Sequence, residues 1–451
     1  MQPVQENRMG VKAITPLVLS MSFPIMLSML VQALYNVVDS LFVAHYSHKA
    51  LTAVSLAFPL QSLVIALSVG TSIGVNSLLS RKLGAKDREG ANKTAGNGII
   101  LSILGWAFFA ILAILFSKHF ITFFSDDPQL IRMGGQYLFV CLFFSLGIFI
   151  EINNERVLQS TGDTIRPMLI QFSGAITNII LDPILIFGLL GFPRLGVLGA
   201  AIATVTGQHV AALLSIYYVR RNKEVTIAKK DLKLDKRIVR DIYFVGVPAI
   251  VMQGIGTILT TSLNKILIAF GTDAVAIYGI YFRLQSFIFM PIFGLNSGMI
   301  PIIGYNYGAQ RPKRIMKTIR VGITVALIIM AFGTALFTFF PHVLLALFNA
   351  SATMLEIGTI ALQRLSMCFL MAGVSISLSA LFQGMGNGYY SMIISFTRQL
   401  VFLLPAAYLL GRFFGLDALW YSFFIAEFSA FFLSLLFFRT IYKNRIKPLY
   451  Q

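Results

Sequence analysis

Asp39 and Asp182 each lie deep in a long apolar stretch of this 451-residue chain. An ionised side chain there is costly, which makes each a functional candidate. Gln32 and Tyr35 precede Asp39 by seven and four residues and so share its helical face, Asn36 adjoins Tyr35, and Asn178 precedes Asp182 by four. Pro183 follows Asp182 and leaves the carbonyl of Ile179 without its usual helical donor, a further candidate oxygen ligand. Carboxylate, amide and carbonyl oxygens suit either a proton or a small cation such as Na⁺. Two acids in one apolar site cannot both ionise cheaply, so one of them is expected to carry a proton. The competing reading is a hydrogen-bonded polar pair that ties two helices together. Among the other ionisable groups, Glu151, Glu155 and Arg156 stand near the end of their stretch, where they can reach water or pair with one another. The second half holds Lys265, Arg283, Arg364, Arg398 and Glu427, and Glu427 is expected to partner one of the arginines.

Elements long enough to cross a bilayer must position these groups. With 57% hydrophobic and 12% charged residues and a mean hydropathy of +0.79, the chain lies outside the soluble range. A span needs roughly 20 apolar residues. Twelve stretches qualify, at about 15–44, 51–79, 94–116, 131–157, 165–190, 195–219, 242–270, 275–304, 318–340, 357–383, 388–411 and 417–439. They are numbered here as spans 1 to 12. The fold expected is an all-α polytopic membrane protein.

The two halves repeat at a fixed offset. Pro24 recurs as Pro248 (248 − 24 = 224), Gly70 and Gly74 as Gly294 and Gly298, and Gly84 and Ala85 as Gly308 and Ala309. Gln159 and Gly162 recur as Gln383 and Gly386, and Phe172 as Phe396. Internal duplication of apolar helices is typical of secondary transporters, in which one repeat rocks against the other. Six spans per half is an even number, so the halves should enter the membrane in the same direction as two pseudo-symmetric six-helix bundles. The expected division is a lobe over 1–220, a basic linker over 221–241 and a second lobe over 242–451. The acids break the symmetry, because the offset carries Asp39 to Leu263 and Asp182 to Ala406.

The net charge of +18 sits in alternate loops, around Arg81 and Lys82, around Arg311 and Arg314, in the linker and in the tail. By the positive-inside rule those loops, the linker and both termini are cytoplasmic, in the plasma membrane. Topology and anionic lipid headgroups account for these charges without nucleic acid. The linker alternates apolar residues with lysines, which predicts a short amphipathic helix on the membrane surface. Cys141 and Cys368 fall inside spans and read as small packing residues. The first span is too long for a signal-peptide core and is expected to be retained. Pro24, Pro59, Pro183, Pro248, Pro291 and Pro405 should bend the helices that contain them. No phosphate-cradling loop, hydrolase triad or metal-ligand spacing is present, so neither ATP chemistry nor an enzyme is expected.

The ordered motifs QALYNVVD (32–39) with Pro24 upstream, LQSTGDTIRP (158–167), NIILDP (178–183), GAAIAT (199–204) and PIIGYNYGA (301–309) resemble the multidrug and toxic compound extrusion (MATE) family, in its bacterial branch. The resemblance covers nearly the whole chain. It implies an antiporter that expels amphipathic, often cationic, drugs, dyes and toxins in exchange for H⁺ or Na⁺, with no other cofactor and as a monomer. Position by position, it implies that Asp39, Asn178, Asp182 and Thr204 form the cation site, that Na⁺ when used sits at Asp39, Asn178 and Asp182, and that Gln32, Tyr35 and Asn36 form a neighbouring polar and substrate network. It makes Pro24 the point at which the first helix bends. Some members of the family carry acids in spans 7 and 10, which this chain lacks. The alternative is a flippase for lipid-linked saccharides or peptidoglycan precursor of the same superfamily, which would line its cavity with arginines such as Arg283, Arg364 and Arg398.

Overall fold

Hydrocarbon offers backbone N–H and C=O groups no partner, so a chain this apolar must satisfy them within each segment, and helix is the local solution. The computed structural model, which describes residues 7–348 and 350–450, is helical wherever the apolar stretches run. Among the described residues ten helices are long and apolar enough to cross a membrane, and two bent helix pairs bring the spans to twelve when each pair counts once. Span 1 is Ile14–Tyr46, span 2 His48–Gly84, span 3 Arg88–Thr122, span 5 Ile165–Phe187 and span 6 Val197–Arg220. The second repeat supplies span 7 (Lys236–Phe270), span 8 (Thr272–Gly308), span 9 (Pro312–Phe339), span 11 (Gly388–Phe414) and span 12 (Leu416–Tyr450).

Spans 4 and 10 differ from the unbroken helices expected. Pro128–Phe143 meets Leu146–Ser160 at 44°, and Ala352–Ser366 meets Phe369–Gly384 at 45°. Neither break contains proline. At each, a small polar side chain bonds back three residues, Ser145 Oγ to the Leu142 carbonyl at 2.7 Å and Cys368 Sγ to the Leu365 carbonyl at 3.1 Å. Such local bonds compete with the helical ladder and bend it. Pro24, Pro59, Pro183, Pro248 and Pro291 lie inside helices that continue past them. Pro405 opens the helix Leu404–Phe414, directly after a π-helical stretch over Thr397–Leu403.

The repeat extends to backbone torsions. Lys86 and Gln310, at equivalent places, both take a left-handed conformation, with φ of 60° and 54°. Their N–H groups bond to the carbonyls of Leu83 and Tyr307, each at 3.1 Å. Gly162 and Gly386 close the turns after spans 4 and 10 at φ of 91° and 82°, which a residue without a Cβ adopts freely. The linker does not form the amphipathic helix expected. Its residues 236–241 belong to span 7, and 221–235 is irregular apart from one 3₁₀ turn at Lys229–Asp231, where side chains take up its backbone groups. Asn97 accepts from the Asp235 N–H at 2.9 Å and donates to the Lys233 carbonyl at 3.1 Å, and Asn92 accepts from the Thr226 N–H at 3.0 Å.

The chain forms two compact units, one holding Leu27–Ile250 and the other Arg8–Met26 together with residues 251–450. Both crossing points lie two residues after an equivalent proline, Pro24 or Pro248. In the first unit Gly70 of span 2 faces the backbone of span 7, where an added Cβ would lie 2.8 Å from Ile250 N and 3.0 Å from the Gly246 carbonyl. In the second, Gly294 and Gly298 of span 8 face span 1, where a Cβ would come within 2.7 Å of Met26 Cα and 2.9 Å of Ser22 Cα. Small residues four apart let helix backbones approach this closely. Arg314 and Arg311 then hold the start of the chain, donating to the carbonyls of Met9 at 2.9 Å and Gly10 at 2.7 Å.

Gly294→Ala and Gly298→Ala should therefore destabilise the protein in detergent by about 1–3 kcal/mol each, as overpacking does. Gly256→Ala, where an added Cβ meets nothing within 4 Å, should leave the unfolding temperature unchanged or raise it. Equal unfolding temperatures for all three variants would refute the close helix approach at span 8.

Candidate cation site

Spans 1, 5 and 6 bring the sequence-derived polar groups of the first unit together. Asp182 is fully buried, and Asn178 one turn earlier and Thr204 of span 6 are almost so, at 0%, 2% and 5% exposure. The amide of Asn178 bridges them. In the orientation that satisfies both of its ends, Nδ2 donates to Asp182 Oδ2 at 2.9 Å, while Oδ1 accepts from the Thr204 N–H at 3.1 Å and from its hydroxyl at 3.3 Å. Asp39 of span 1 comes within hydrogen-bonding reach of Asp182. Two carboxylates have no donor between them, so this contact requires either a shared proton or a cation held by both. Asp39 Oδ1 is buried and takes no hydrogen bond among the described residues, leaving an acceptor free for either.

Tyr35 stands in electrostatic reach of Asp39 and Asp182. Gln32 turns to span 5 and accepts from Gln171 Nε2 at 3.3 Å, and the carbonyl of Asn36 accepts from Ser40 at 2.8 Å with its side chain exposed. Pro24 belongs to the residues grouped with the second unit and is no part of this cluster. Three groups escaped the sequence reading. Tyr137 of span 4 hydrogen-bonds Gln61 of span 2 and Cys141 one turn along its own helix, and both Tyr137 and Cys141 feel the charge of Asp39. Cys141 read as packing, and Tyr137 carried no sequence signal beyond a polar atom in an apolar stretch.

Several of the remaining ionisable groups have surroundings of their own. Arg156 donates to Gln159 at 2.9 Å, and Glu155 Oε1 is buried without a hydrogen bond among the described residues. Arg398 pairs with Glu427 at 3.0 Å, the partnership expected for that acid. Arg364 donates to the Asp417 carbonyl and lies 4.9 Å from the Tyr421 ring centre. Arg364 and Arg398 are thus committed to partners within the second repeat, which does not favour the arginine-lined cavity of a pyrophosphate flippase.

The model of the MatE family matches residues 24–184 and 248–409, once in each repeat, the two matches starting 224 residues apart (248 − 24 = 224). The chain belongs to the MATE family. It is 28% identical over 416 residues to the multidrug export protein MepA of Staphylococcus haemolyticus, covering 90% of this chain and 89% of that one. It is 26% identical over 401 residues to the probable multidrug resistance protein NorM of Thermotoga maritima, covering 89% and 86%. A solved outward-facing structure of a multidrug resistance MATE family transporter superposes with a TM-score of 0.91 at 28% identity, covering 100% of this chain and 99% of that one. This MATE protein is accordingly a membrane-embedded, all-helical transporter of the multidrug-export type, with relatives among bacteria.

If Tyr137 helps to position the carboxylate cluster, Tyr137→Phe should lower transport by about tenfold, the scale of losing a partner that orients a ligand. Unchanged transport rates in that variant would make the Gln61–Tyr137–Cys141 chain a packing feature.

Proposed function

We propose that this transporter is an antiporter that exports amphipathic, often cationic, organic compounds in exchange for inward H⁺ or Na⁺. The observation that carries this reading is the approach of Asp39 to Asp182, with Asn178 holding Asp182 through its Nδ2 and held in turn by Thr204. In the outward-open state the two acids take up the ion, span 1 rearranges at Pro24, and the bound compound is displaced to the outside. Return to the inward state releases the ion to the cytoplasm. Gln32, Tyr35 and Asn36 lie along the same helix as Asp39, where they can couple occupancy of the acids to substrate contacts. The protein acts as a monomer in the plasma membrane with both termini cytoplasmic, and its basic loops and linker rest against anionic headgroups.

Efflux of a fluorescent cationic dye from proteoliposomes, driven separately by a proton gradient and by a Na⁺ gradient, tests this directly. One gradient should drive efflux, and Asp39→Asn or Asp182→Asn should each reduce it to the background of empty vesicles. Asn178→Ala and Thr204→Ala should weaken the ion dependence by about 10–100-fold, as for groups that orient a ligand. The proposal fails if neither gradient drives efflux, or if both Asp variants remain fully coupled.

A further inference from the structure

We propose that the guanidinium of Arg398 is a built-in cation that takes, in the second repeat, the place the coupling ion takes in the first, so that Glu427 is closed to ion binding. The inference rests on the reading of Asp39 and Asp182 as the ion site.

Spans 11 and 12 are the counterparts of spans 5 and 6. In the first repeat Asn178 bridges that helix pair to reach Thr204, and in the second the Arg398 Nη1 to Glu427 Oε1 contact bridges it at 3.0 Å. The repeat offset places Glu427 on Ala203, beside Thr204, and Arg398 on Gly174, one turn before Asn178. A long side chain starting one turn away thus ends in the counterpart region. The local helix is adapted to carry it. Span 11 is π-helical over Thr397–Leu403, whereas span 5 is regular α-helix over Ile165–Phe187. Inserted π turns re-aim side chains and occur often at functional positions.

The charge balance differs in the same direction. Asp39 and Asp182 face each other as two acids and need a positive charge from outside the chain. Arg398 and Glu427 cancel, with side chains only 23% and 14% exposed. The other titratable groups in electrostatic reach of Glu427 are Tyr281 of span 8 and Cys368 at the break in span 10, neither of them a carboxyl with which a proton could be shared. Glu427 Oε2 is nonetheless buried without a hydrogen bond among the described residues, so an acceptor stands ready once the guanidinium is gone. Replacing a buried ion pair by apolar residues of similar size is often neutral for stability, which allows both charges to be removed together.

The test is the ion-to-dye stoichiometry in proteoliposomes, read as the dye gradient that just balances an imposed ion gradient. Arg398→Met should raise it by one ion per dye, and Arg398→Met combined with Glu427→Met should return it to the parental value. A folded Arg398→Met variant with parental stoichiometry overturns the proposal. Should that variant fail to fold, judged by thermal unfolding in detergent, the double variant decides. Parental stoichiometry in the folded double variant supports the proposal, and loss of coupling overturns it, because the pair would then be working in the transport step itself. Asp39→Asn, measured alongside, separates the two readings: full coupling in that variant sinks the first-repeat ion site whatever Arg398→Met does.

Discussion

An ionised carboxyl in an apolar helical bundle must be neutralised, and both repeats of this transporter are organised around meeting that requirement. The first repeat sets Asp39 against Asp182, two acids with no donor of their own between them, and holds Asp182 through the amide of Asn178, itself tied to Thr204. The second repeat places Arg398 3.0 Å from Glu427 and is neutral by itself. Two bundles of common ancestry therefore present different electrostatic problems on one scaffold.

The scaffold is conserved between the repeats at the level of backbone geometry. Left-handed turns at Lys86 and Gln310, glycine turns at Gly162 and Gly386, and broken helices in spans 4 and 10 recur at matching places. The close helix contacts recur as well, with Gly70 and Gly74 facing span 7 in one unit and Gly294 and Gly298 facing span 1 in the other. These features set the path of the chain and the approach of its helices without involving charge. The charged groups of the two repeats, by contrast, stand at different positions, since the counterparts of Asp39 and Asp182 are Leu263 and Ala406.

Much of this was legible in the residues. Apolar stretches, the repeat offset and the basic loops predicted twelve spans, because a bilayer imposes length and composition on any segment that crosses it. Asp39 and Asp182 stood out because a carboxyl is costly in such a segment, and Asn178 followed from helical spacing. The breaks in spans 4 and 10 were not legible. They arise from Ser145 and Cys368 bonding back to nearby carbonyls, a choice that many serines and cysteines in helices have available and do not impose as a break. The linker misled for a similar reason, since its amphipathic pattern was overridden by Asn97 and Asn92 claiming its backbone groups.

The sequence by itself determined the class of the protein, the number of its spans, its duplication and the identity of the buried acids, because each follows from the cost of moving a group from water to hydrocarbon, paid residue by residue. Only the tertiary structure decided which groups meet. That Asn178 links Asp182 to Thr204, that Tyr137 reaches Gln61 and that Arg398 takes Glu427 all depend on how separate helices pack. Distances of a few ångströms between distant parts of the chain leave no periodic trace along it.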